Sequence, residues 1–510
     1  MSAIDTVFPA LDVVRSLYKS LSACADHHDQ ALIEQLHIAT AIDDAILMSA
    51  KQDKVVIVTG NTGDGKTHLI KQVEGQFNKT FTINKDANEV EDDEIIQSID
   101  NALANKETLI IAINEGILLD ICEQAKTKCP WAPQVIDAIL RPYVYDSNST
   151  KELDGIVILD LNLRNNLSRA VVSQAIEKVA GFVDVASDPS GLLKDNADSI
   201  RRPVVKDRIT HLLDAVARTG FHATMRELLG FCAHLICGGE DEEQGIPPRP
   251  YYINAFDGGQ GPLFDLVRRY DPLFLPSPFL DDKLFIAQDK PEDWEVDRPD
   301  EIRVADDPDL FRQRKRRAYF EHKLGHGILR GERSEVDRAF HDLTKADQAP
   351  EQVAIRLLNR FYNSKDTQTD QLTLWVSHQY NARPPRYVAS RQVISATEFE
   401  VRIPRLPPHL KHVFANHYPD HVILAHNEME PGEGLVIDRR LVSMLIAGDR
   451  ISGLGTRNFE AQTKIAALYD ALARVSSSQQ SVVQIMRLDS MKKVKIGVNV
   501  ANRTYYIPGG

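Results

Sequence analysis

The sequence has few cysteines and no long apolar run. Its five cysteines form neither a CxxC pair nor a cluster with histidine, which argues against a disulfide framework and against a zinc module. No stretch approaches the roughly 18 consecutive apolar residues of a membrane helix. The first 30 residues contain acidic side chains such as Asp5 and Asp12 instead of a basic start and an apolar run. These features predict an unexported, cytoplasmic protein with no membrane partner.

Acidic residues outnumber basic residues in this sequence. The formal net charge is −13 at pH 7, which repels a polyanion and argues against a protein that coats nucleic acid through its overall charge. Any contact with DNA or RNA must therefore be local.

Low-complexity segments and internal repeats are missing, and the apolar and charged shares of 43% and 26% are typical of globular proteins. Because 510 residues exceed what one hydrophobic core supports, we expect several domains.

Apolar runs alternate with helical periodicity in the first third of the chain. Continuous apolar runs, typical of buried parallel strands, occupy residues 55–58, 109–113 and 156–159, and a shorter alternating run occupies 80–84. Amphipathic helices are predicted between these runs. Strands that alternate with helices predict an α/β fold with a parallel sheet.

A phosphate-binding motif follows the first apolar run. It matches GxxxxGK[ST] and consists of Gly60, Asn61, Thr62, Gly63, Asp64, Gly65, Lys66 and Thr67. The glycines let the backbone wrap closely, so that its N–H groups point at phosphate oxygens. We expect Lys66 to bind the β- and γ-phosphates of ATP and the Thr67 hydroxyl to bind Mg²⁺. A mere glycine turn is the structural alternative, but the required strand precedes this motif and the required helix follows it.

Two of the predicted strands end in polar residues suited to triphosphate hydrolysis. Such a reaction needs a carboxylate that orients water and an oxygen ligand for the metal, commonly at the ends of parallel strands. We expect Glu115 to orient the water, Asn114 to be the oxygen donor near Mg²⁺, and Asp160 with Asn162 to sense the γ-phosphate. Because Asn114 is neutral where aspartate is usual, Asp160 is the alternative metal ligand. Polar caps at strand ends are the structural alternative for both pairs.

Two arginines are candidates for stabilising the charge of phosphoryl transfer. Arg226 opens a predicted helix at residues 224–229, from which we expect it to contact the γ-phosphate. Arg164 follows the predicted sensor strand and is a candidate for acting across a subunit interface of a homo-oligomer. An ion pair on the surface is the alternative for both arginines, and for Arg164 it is the favoured one.

A basic run with aromatic neighbours lies further along the chain. It consists of Arg312, Arg314, Lys315, Arg316 and Arg317, beside Phe311, Tyr319 and Phe320. This mixture is typical of a local DNA contact, but a solvated helix face that pairs with nearby acidic segments is the favoured alternative. The sequence has no nuclease motif, and His322 and His326 lack a third metal ligand.

Composition and periodicity divide the chain into five parts. The first is a helical lead-in and the second is the P-loop ATPase core, which is followed by a helical lid. A proline-rich bridge of loops and helices then leads to a C-terminal mixed α/β or α+β domain. The predicted bounds are 1–50, 51–170, 171–245, 246–350 and 351–510.

Several of these motifs together resemble a known class of ATPases. The loop 60–67, the strand end at 114–116, the segment 160–165 and the helix 224–229 resemble the ATPase core of the AAA+ class and its relatives, over about residues 50–240. More narrowly, the Gly-Asp-Gly-Lys-Thr loop, the Asn-Glu-Gly strand end and the overall length resemble the DptF-type ATPase of prokaryotic phosphorothioation-dependent restriction systems. The resemblance implies a Mg²⁺-dependent ATPase that is a motor or regulatory subunit of a DNA-targeting antiviral defence complex, whose cutting or helicase subunits are separate chains.

Two other functions remain open at this point. In a nucleotide-gated signalling or scaffold protein, ATP would hold a conformation with slow or no turnover, and the neutral Asn114 gives this alternative weight. A DNA translocase is the third possibility, which the net charge disfavours.

Overall fold

Most of the chain is described by the computed structural model. The described residues are 35–74, 82–84, 90–145, 152–184, 192–237, 251–274, 281, 308–321, 335–345, 349–362, 369–375, 387–429, 433–447, 459–475, 482–487, 490, 492–499 and 504–507. The predicted helices before residue 35, and the pair His322 and His326, lie outside them. The chain folds into two compact units. Unit 1 comprises residues 1–142, 150–332 and 406–418, and unit 2 comprises 143–149, 333–405 and 419–510.

Four parallel strands form the sheet of unit 1. They are β1 (Val55–Thr59), β2 (Thr82–Asn84), β3 (Leu109–Ala112) and β4 (Ile156–Asp160). Their order is β2-β3-β1-β4, and all neighbours pair in parallel. The predicted α/β class with a parallel sheet is thus confirmed, with strand bounds that differ from the prediction by at most two residues. Every residue of β1 is buried, as expected for a central strand covered on both faces.

Helices cover both faces of this sheet. They are α1 (Ala41–Lys51), α2 (Lys66–Glu74), α3 (Asp92–Asn105), α4 (Glu115–Ala125) and α5 (Trp131–Leu140). One face shares a core with α3, α4 and α5, to which Val55 and Ile57 of β1 contribute. The helices α1 and α2 instead pack on β1 and β3 from the other face. Since the helices that follow β1 and β3 lie on opposite faces, a crevice opens at the carboxyl ends of these two strands.

The rest of unit 1 is mainly helical. Its helices are α6 (Arg169–Asp184), α7 (Leu192–Arg201), α8 (Pro203–Ala217), α9 (Met225–Cys237), α10 (Pro262–Arg268) and α11 (Pro308–Glu321), with 3₁₀ turns at Leu161–Leu163, Tyr251–Phe256 and Pro272–Phe274. One apolar core joins these helices and includes Leu212, Phe231, Tyr252 and Tyr319. The helical pattern predicted from residue 171 onward is present in the described residues up to 237.

Two of the five basic residues on α11 are internal. Lys315 and Arg316 are only 2% and 3% exposed. The guanidinium of Arg316 donates hydrogen bonds to the carboxylates of Asp257 and Asp271, and Lys315 Nζ lies 2.8 Å from Asp281 Oδ1. For Lys315 and Arg316, the predictions of a DNA contact and of a solvated face are therefore wrong. The reason is that α11 packs into the helical core, where acidic partners neutralise its charges.

Unit 2 combines helices with two antiparallel sheets. One sheet has the order β12-β11-β10-β6-β5, and the other has the order β7-β8-β9. The strands are β5 (Gln371–Trp375), β6 (Tyr387–Ser395), β7 (Phe399–Arg402), β8 (His421–His426), β9 (Leu435–Asp438), β10 (Val482–Arg487), β11 (Lys493–Asn499) and β12 (Thr504–Tyr506). The helices of unit 2 are α12 (Glu335–Leu343), α13 (Pro350–Tyr362), α15 (Arg439–Ala447) and α16 (Phe459–Val475), while the short α14 (Pro408–Lys411) belongs to unit 1.

The core of unit 2 is apolar and continuous. Leu358 of α13, Leu424 of β8 and Leu445 of α15 belong to it, each less than 1% exposed. Within the described part of the chain, no helix is long and apolar enough to span a membrane.

Candidate functional site

The loop between β1 and α2 has a backbone that requires glycine at three positions. The φ angles of Gly60, Gly63 and Gly65 are +141°, +97° and +89°, a region that other residues rarely adopt. A Cβ atom on Gly60 would lie 3.0 Å from Leu161 Cβ, so the backbone there approaches the turn after β4. A Cβ on Gly65 would meet no atom within 4 Å. The space beside the amino-terminal end of α2 is therefore open.

The ammonium group of Lys66 lies inside the curve of this loop. Lys66 is 7% exposed, and its Nζ donates to the carbonyl oxygens of Gly60 and Asn61 at 3.1 and 2.8 Å. Lys66 is also the first residue of α2, and the first N–H groups of a helix have no acceptor within the helix. Positive charge and helix N–H groups thus converge on the open space beside Gly65, an arrangement suited to a bound anion.

Asp64 closes the loop and connects it to the helical part of unit 1. Its carboxylate is fully buried and accepts a hydrogen bond from the Asn61 N–H at 2.7 Å. The other carboxylate oxygen lies 2.9 Å from His222 Nε2, in the segment that leads into α9. The backbone N–H of Arg226, on α9, donates to the Gly63 carbonyl at 3.1 Å. The loop is therefore fixed from outside by the start of α9.

Arg164 also holds the loop in place, through the backbone of Asp64. It is buried, and its Nη2 donates to the Asp64 carbonyl at 2.8 Å. Burial lowers the pKa of this guanidinium to about 10, although the nearby Asp64 carboxylate opposes the change. The favoured expectation of a surface ion pair is therefore wrong, because the turn after β4 folds beneath the loop.

The polar residues at the ends of β3 and β4 meet one another. Asn162 donates its side-chain Nδ2 to Glu115 Oε2, and its backbone N–H donates to Asp160 Oδ1 at 2.9 Å. Asn114 is the residue that precedes α4, and its carbonyl accepts the Leu118 N–H at 3.0 Å. The structure thus brings Glu115, Asp160 and Asn162 together beside the loop, as the parallel sheet predicts.

This strand edge has excess negative charge and oxygen atoms in need of partners. Burial, together with the nearby charges of Glu115 and Asp64, raises the pKa of Asp160 to about 6, while the hydrogen bond from the Asn162 N–H opposes this rise. The buried atoms Asn162 Oδ1 and Thr59 Oγ1 have no hydrogen-bond partner. Thr59 pairs with Asp160 across β1 and β4. Carboxylate, amide and hydroxyl oxygens are ligands that suit Mg²⁺ or its bound water.

The part of the chain that the structure describes has no group of three or more His, Cys, Asp or Glu side chains that could hold a metal ion alone.

The sequence interpretation missed a histidine pair that supports α2. His68 follows Thr67, and its Nε2 lies 3.1 Å from His37 Nδ1. His37 Nε2 in turn lies 3.1 Å from Asp43 Oδ1. Burial lowers the pKa of His68 to about 4, and the charge of His37 adds to this effect. No sequence signal links His37 to His68, because they are 31 residues apart and follow no shared motif.

The structure gathers most predicted site residues at one edge of the sheet. Lys66 of the loop, Glu115, Asp160 and Asn162 lie there, whereas Arg226 reaches the loop through its backbone N–H. A contact of the Arg226 side chain with phosphate stays a prediction. When the chain was compared with family models, with curated proteins and with solved structures, none of the three comparisons gave a match.

Proposed function

We propose that unit 1 contains a P-loop nucleotide site that binds Mg²⁺·ATP and hydrolyses it. One observation carries the proposal. The buried ammonium of Lys66 lies within a loop of positive-φ glycines, and this loop adjoins the strand edge where Asn162 holds Glu115. Either feature alone is compatible with a structural role. Together they supply a phosphate site and a carboxylate next to it.

The loop supports triphosphate binding through its charge and its space. Lys66 Nζ donates to the neutral carbonyl oxygens of Gly60 and Asn61, and a phosphate oxygen is a stronger, charge-assisted acceptor. The open space next to Gly65 admits the phosphate at the start of α2. The buried Asp64 lies close by, but its carboxylate is directed to Asn61 and His222. Asp64 therefore shapes the loop without facing the ligand.

The strand edge supports hydrolysis through Glu115. An ionised Glu115 can accept a hydrogen bond from water and orient it for attack on the γ-phosphorus. Asn162 restricts the carboxylate to one position. Thr67 and Asp160 would hold Mg²⁺, with Asn114 as the alternative to Asp160. The bound ion would neutralise charge on the phosphates.

We also propose the wider setting that the AAA+ and DptF-type resemblance implies, a regulatory or motor subunit of a DNA-targeting defence complex. The burial of Lys315 and Arg316 favours a regulatory role, because two of the five charges in the densest basic run are withdrawn from the surface. DNA contacts would then come mainly from separate partner chains.

The alternative is a nucleotide-gated scaffold with slow or no turnover, and one observation favours it. Glu115 is already engaged by Asn162, so its carboxylate must be released or shared before it can orient water. The neutral Asn114 adds to this because it weakens metal binding.

Two separate measurements test these functions on the full chain. Binding of Mg²⁺·ATP by calorimetry and phosphate release at steady state should both be lost in Lys66→Ala. Glu115→Gln should retain binding and lose turnover. Binding without turnover, unchanged by Glu115→Gln, would contradict hydrolysis and support the scaffold. Duplex DNA in parallel reactions tests the defence setting, which predicts a change in rate.

A further inference from the structure

One connection of unit 2 leaves that unit and joins the nucleotide-site unit. The strands β7 and β8 are antiparallel neighbours, yet residues 403–420 connect them. Two to five residues suffice for such a connection. Within it, residues 406–418 belong to unit 1, although the chain on either side belongs to unit 2. Phe414 anchors this 406–418 segment, being only 4% exposed.

The 406–418 segment is hydrogen-bonded to the turn that carries the sensor residues. His417 Nδ1 lies 3.1 Å from the carbonyl oxygen of Leu163, and since a carbonyl only accepts, Nδ1 carries the proton. The Asn165 side chain donates to the Asn416 carbonyl at 3.1 Å. Between these two contacts lies Arg164, which holds the phosphate loop through Asp64. Two hydrogen bonds therefore connect the segment to the turn after β4. This turn supports the phosphate loop through Arg164 and carries Asn162 next to Asp160.

The same segment lies behind Asp160. A cavity of about 30 Å³ is lined by Asp160 and Leu163 on one side and by Pro407, His409 and Leu410 on the other. This volume admits only one or two water molecules. A shift of the segment therefore changes the space and the hydration beside Asp160.

A third group of contacts reaches the helical part of unit 1. Tyr418 donates its hydroxyl to Asp214 Oδ1 at 3.0 Å, and the Arg218 guanidinium lies 5.3 Å from the centre of the Tyr418 ring. Asp214 is on α8 and Arg218 directly follows it. The segment therefore spans from the sensor turn to α8, so a movement of either changes its position.

We propose that the 406–418 segment couples the nucleotide site to unit 2, with His417 and Asn165 as positioning residues for the turn that carries Asp160 and Asn162. The proposal rests on the proposed ATPase function. Whatever displaces β7 or β8 changes the turnover of ATP through this segment. Because the segment is hydrogen-bonded to the turn beside the nucleotide site, nucleotide binding alters the segment in return.

The experiment compares matched variants of the full chain. His417→Ala should lower the steady-state kcat about tenfold or more, since small displacements of catalytic groups are costly. The affinity for Mg²⁺·ATP should change less than about threefold, because the phosphate loop keeps its own hydrogen bonds. His417→Asn should restore kcat, because an asparagine amide presents a donor near the position of Nδ1. The exposed His412→Ala is the control in the same segment and should match the wild type.

A second readout is independent of turnover. Hydrogen exchange of the peptide that covers residues 406–418 should slow when ATP binds, and this change should vanish in Lys66→Ala. Normal kcat in both His417→Ala and Asn165→Ala, with no exchange response, would overturn the coupling while leaving the ATPase intact. Binding without turnover would refute hydrolysis, and the exchange response alone would then decide the coupling. If ATP does not bind, both proposals fail.

Discussion

The side-chain amide of Asn162 donates a hydrogen bond to the carboxylate of Glu115, which lies 47 residues earlier in the chain. The two residues follow different strands, β4 and β3, which flank β1 on opposite sides. They meet because the carboxyl ends of parallel strands lie at one edge of the sheet. This hydrogen bond gives the proposed water-orienting carboxylate of Glu115 a fixed position. Breaking the hydrogen bond would free the carboxylate, so this step could be regulated.

The first prediction concerns this contact. Asn162→Ala frees the Glu115 carboxylate to rotate and removes one hydrogen bond, so kcat for ATP should fall about 10- to 100-fold with little change in ATP affinity. The control is Asn101→Ala, at an exposed position of α3. A rise in kcat for Asn162→Ala would show instead that the hydrogen bond inhibits Glu115, as the scaffold alternative expects.

The second prediction uses two glycines that both face open space. A Cβ on Gly65 or on Gly116 would meet no atom within 4 Å, but only Gly65 has a positive φ and adjoins the start of α2. Gly65→Ala should strain the loop and fill the anion space, so the affinity for ATP should fall tenfold or more. Gly116→Ala should retain binding and raise the free energy of unfolding by about 0.5–1 kcal/mol, because alanine favours a helix. Calorimetry and thermal unfolding measure the two effects. Equal ATP affinity in both variants would place the ligand elsewhere.

The strands and the loop could be predicted because their signals are local. A run such as Val55–Val58 is apolar over its whole length, and a glycine-rich turn with lysine follows it directly. In unit 2 the sequence pattern predicts strands at 372–376, 399–403 and 494–500. The strands β5, β7 and β11 lie within one residue of these bounds, whereas other strands were missed. The missed strand β8 contains the apolar run Val422–Ala425, whose residues are all buried, so its signal was present in the sequence.

Burial of charge could not be predicted, because it depends on partners far away in the chain. Arg164 has the local context of a surface arginine, and only the fold reveals that it lies beneath Asp64. Arg316 sits among four other basic residues, yet its partners Asp257 and Asp271 are 59 and 45 residues distant. The 406–418 segment has no periodicity that assigns it to unit 1.

The third prediction tests the role of Arg316. Replacing it by methionine leaves Asp271 buried and without its cation, so the free energy of unfolding should fall by about 3–5 kcal/mol. Arg312→Met, at an exposed position of the same helix, should change it by less than about 0.5 kcal/mol. Thermal unfolding measures both variants. Equal stability, accompanied by a loss of DNA binding in Arg316→Met, would revive the DNA contact that the burial of this side chain contradicts.

The fourth prediction follows from the raised pKa of Asp160. Its folded value is about 6 and its ordinary value is 3.8, so the folded state binds more protons between these pH values. The contribution of Asp160 to the free energy of unfolding therefore falls as pH rises through this window, and above pH 6 the ionised carboxyl costs up to roughly 3 kcal/mol. Asp160→Asn should stabilise the protein by about 1–3 kcal/mol at pH 7.5 and by nothing at pH 4. The exposed Asp154→Asn is the control. A gain that is independent of pH would exclude ionisation as the cause.

The last prediction combines Asp160 with His68, whose pKa falls from 6.5 to about 4. Between these values the unfolded state binds more protons at His68, so its contribution to stability is complete above pH 6.5 and is lost as pH falls towards 4. Asp160 acts in the opposite direction over nearly the same window, and each effect is about 3 kcal/mol at most. The two contributions therefore nearly cancel in the wild type. Asp160→Asn should expose a loss of stability on acidification from pH 6.5 to 4.5, whereas His68→Gln should expose a gain. Unfolding by urea at several pH values measures both slopes, and slopes of the same sign in the two variants would refute the assignment.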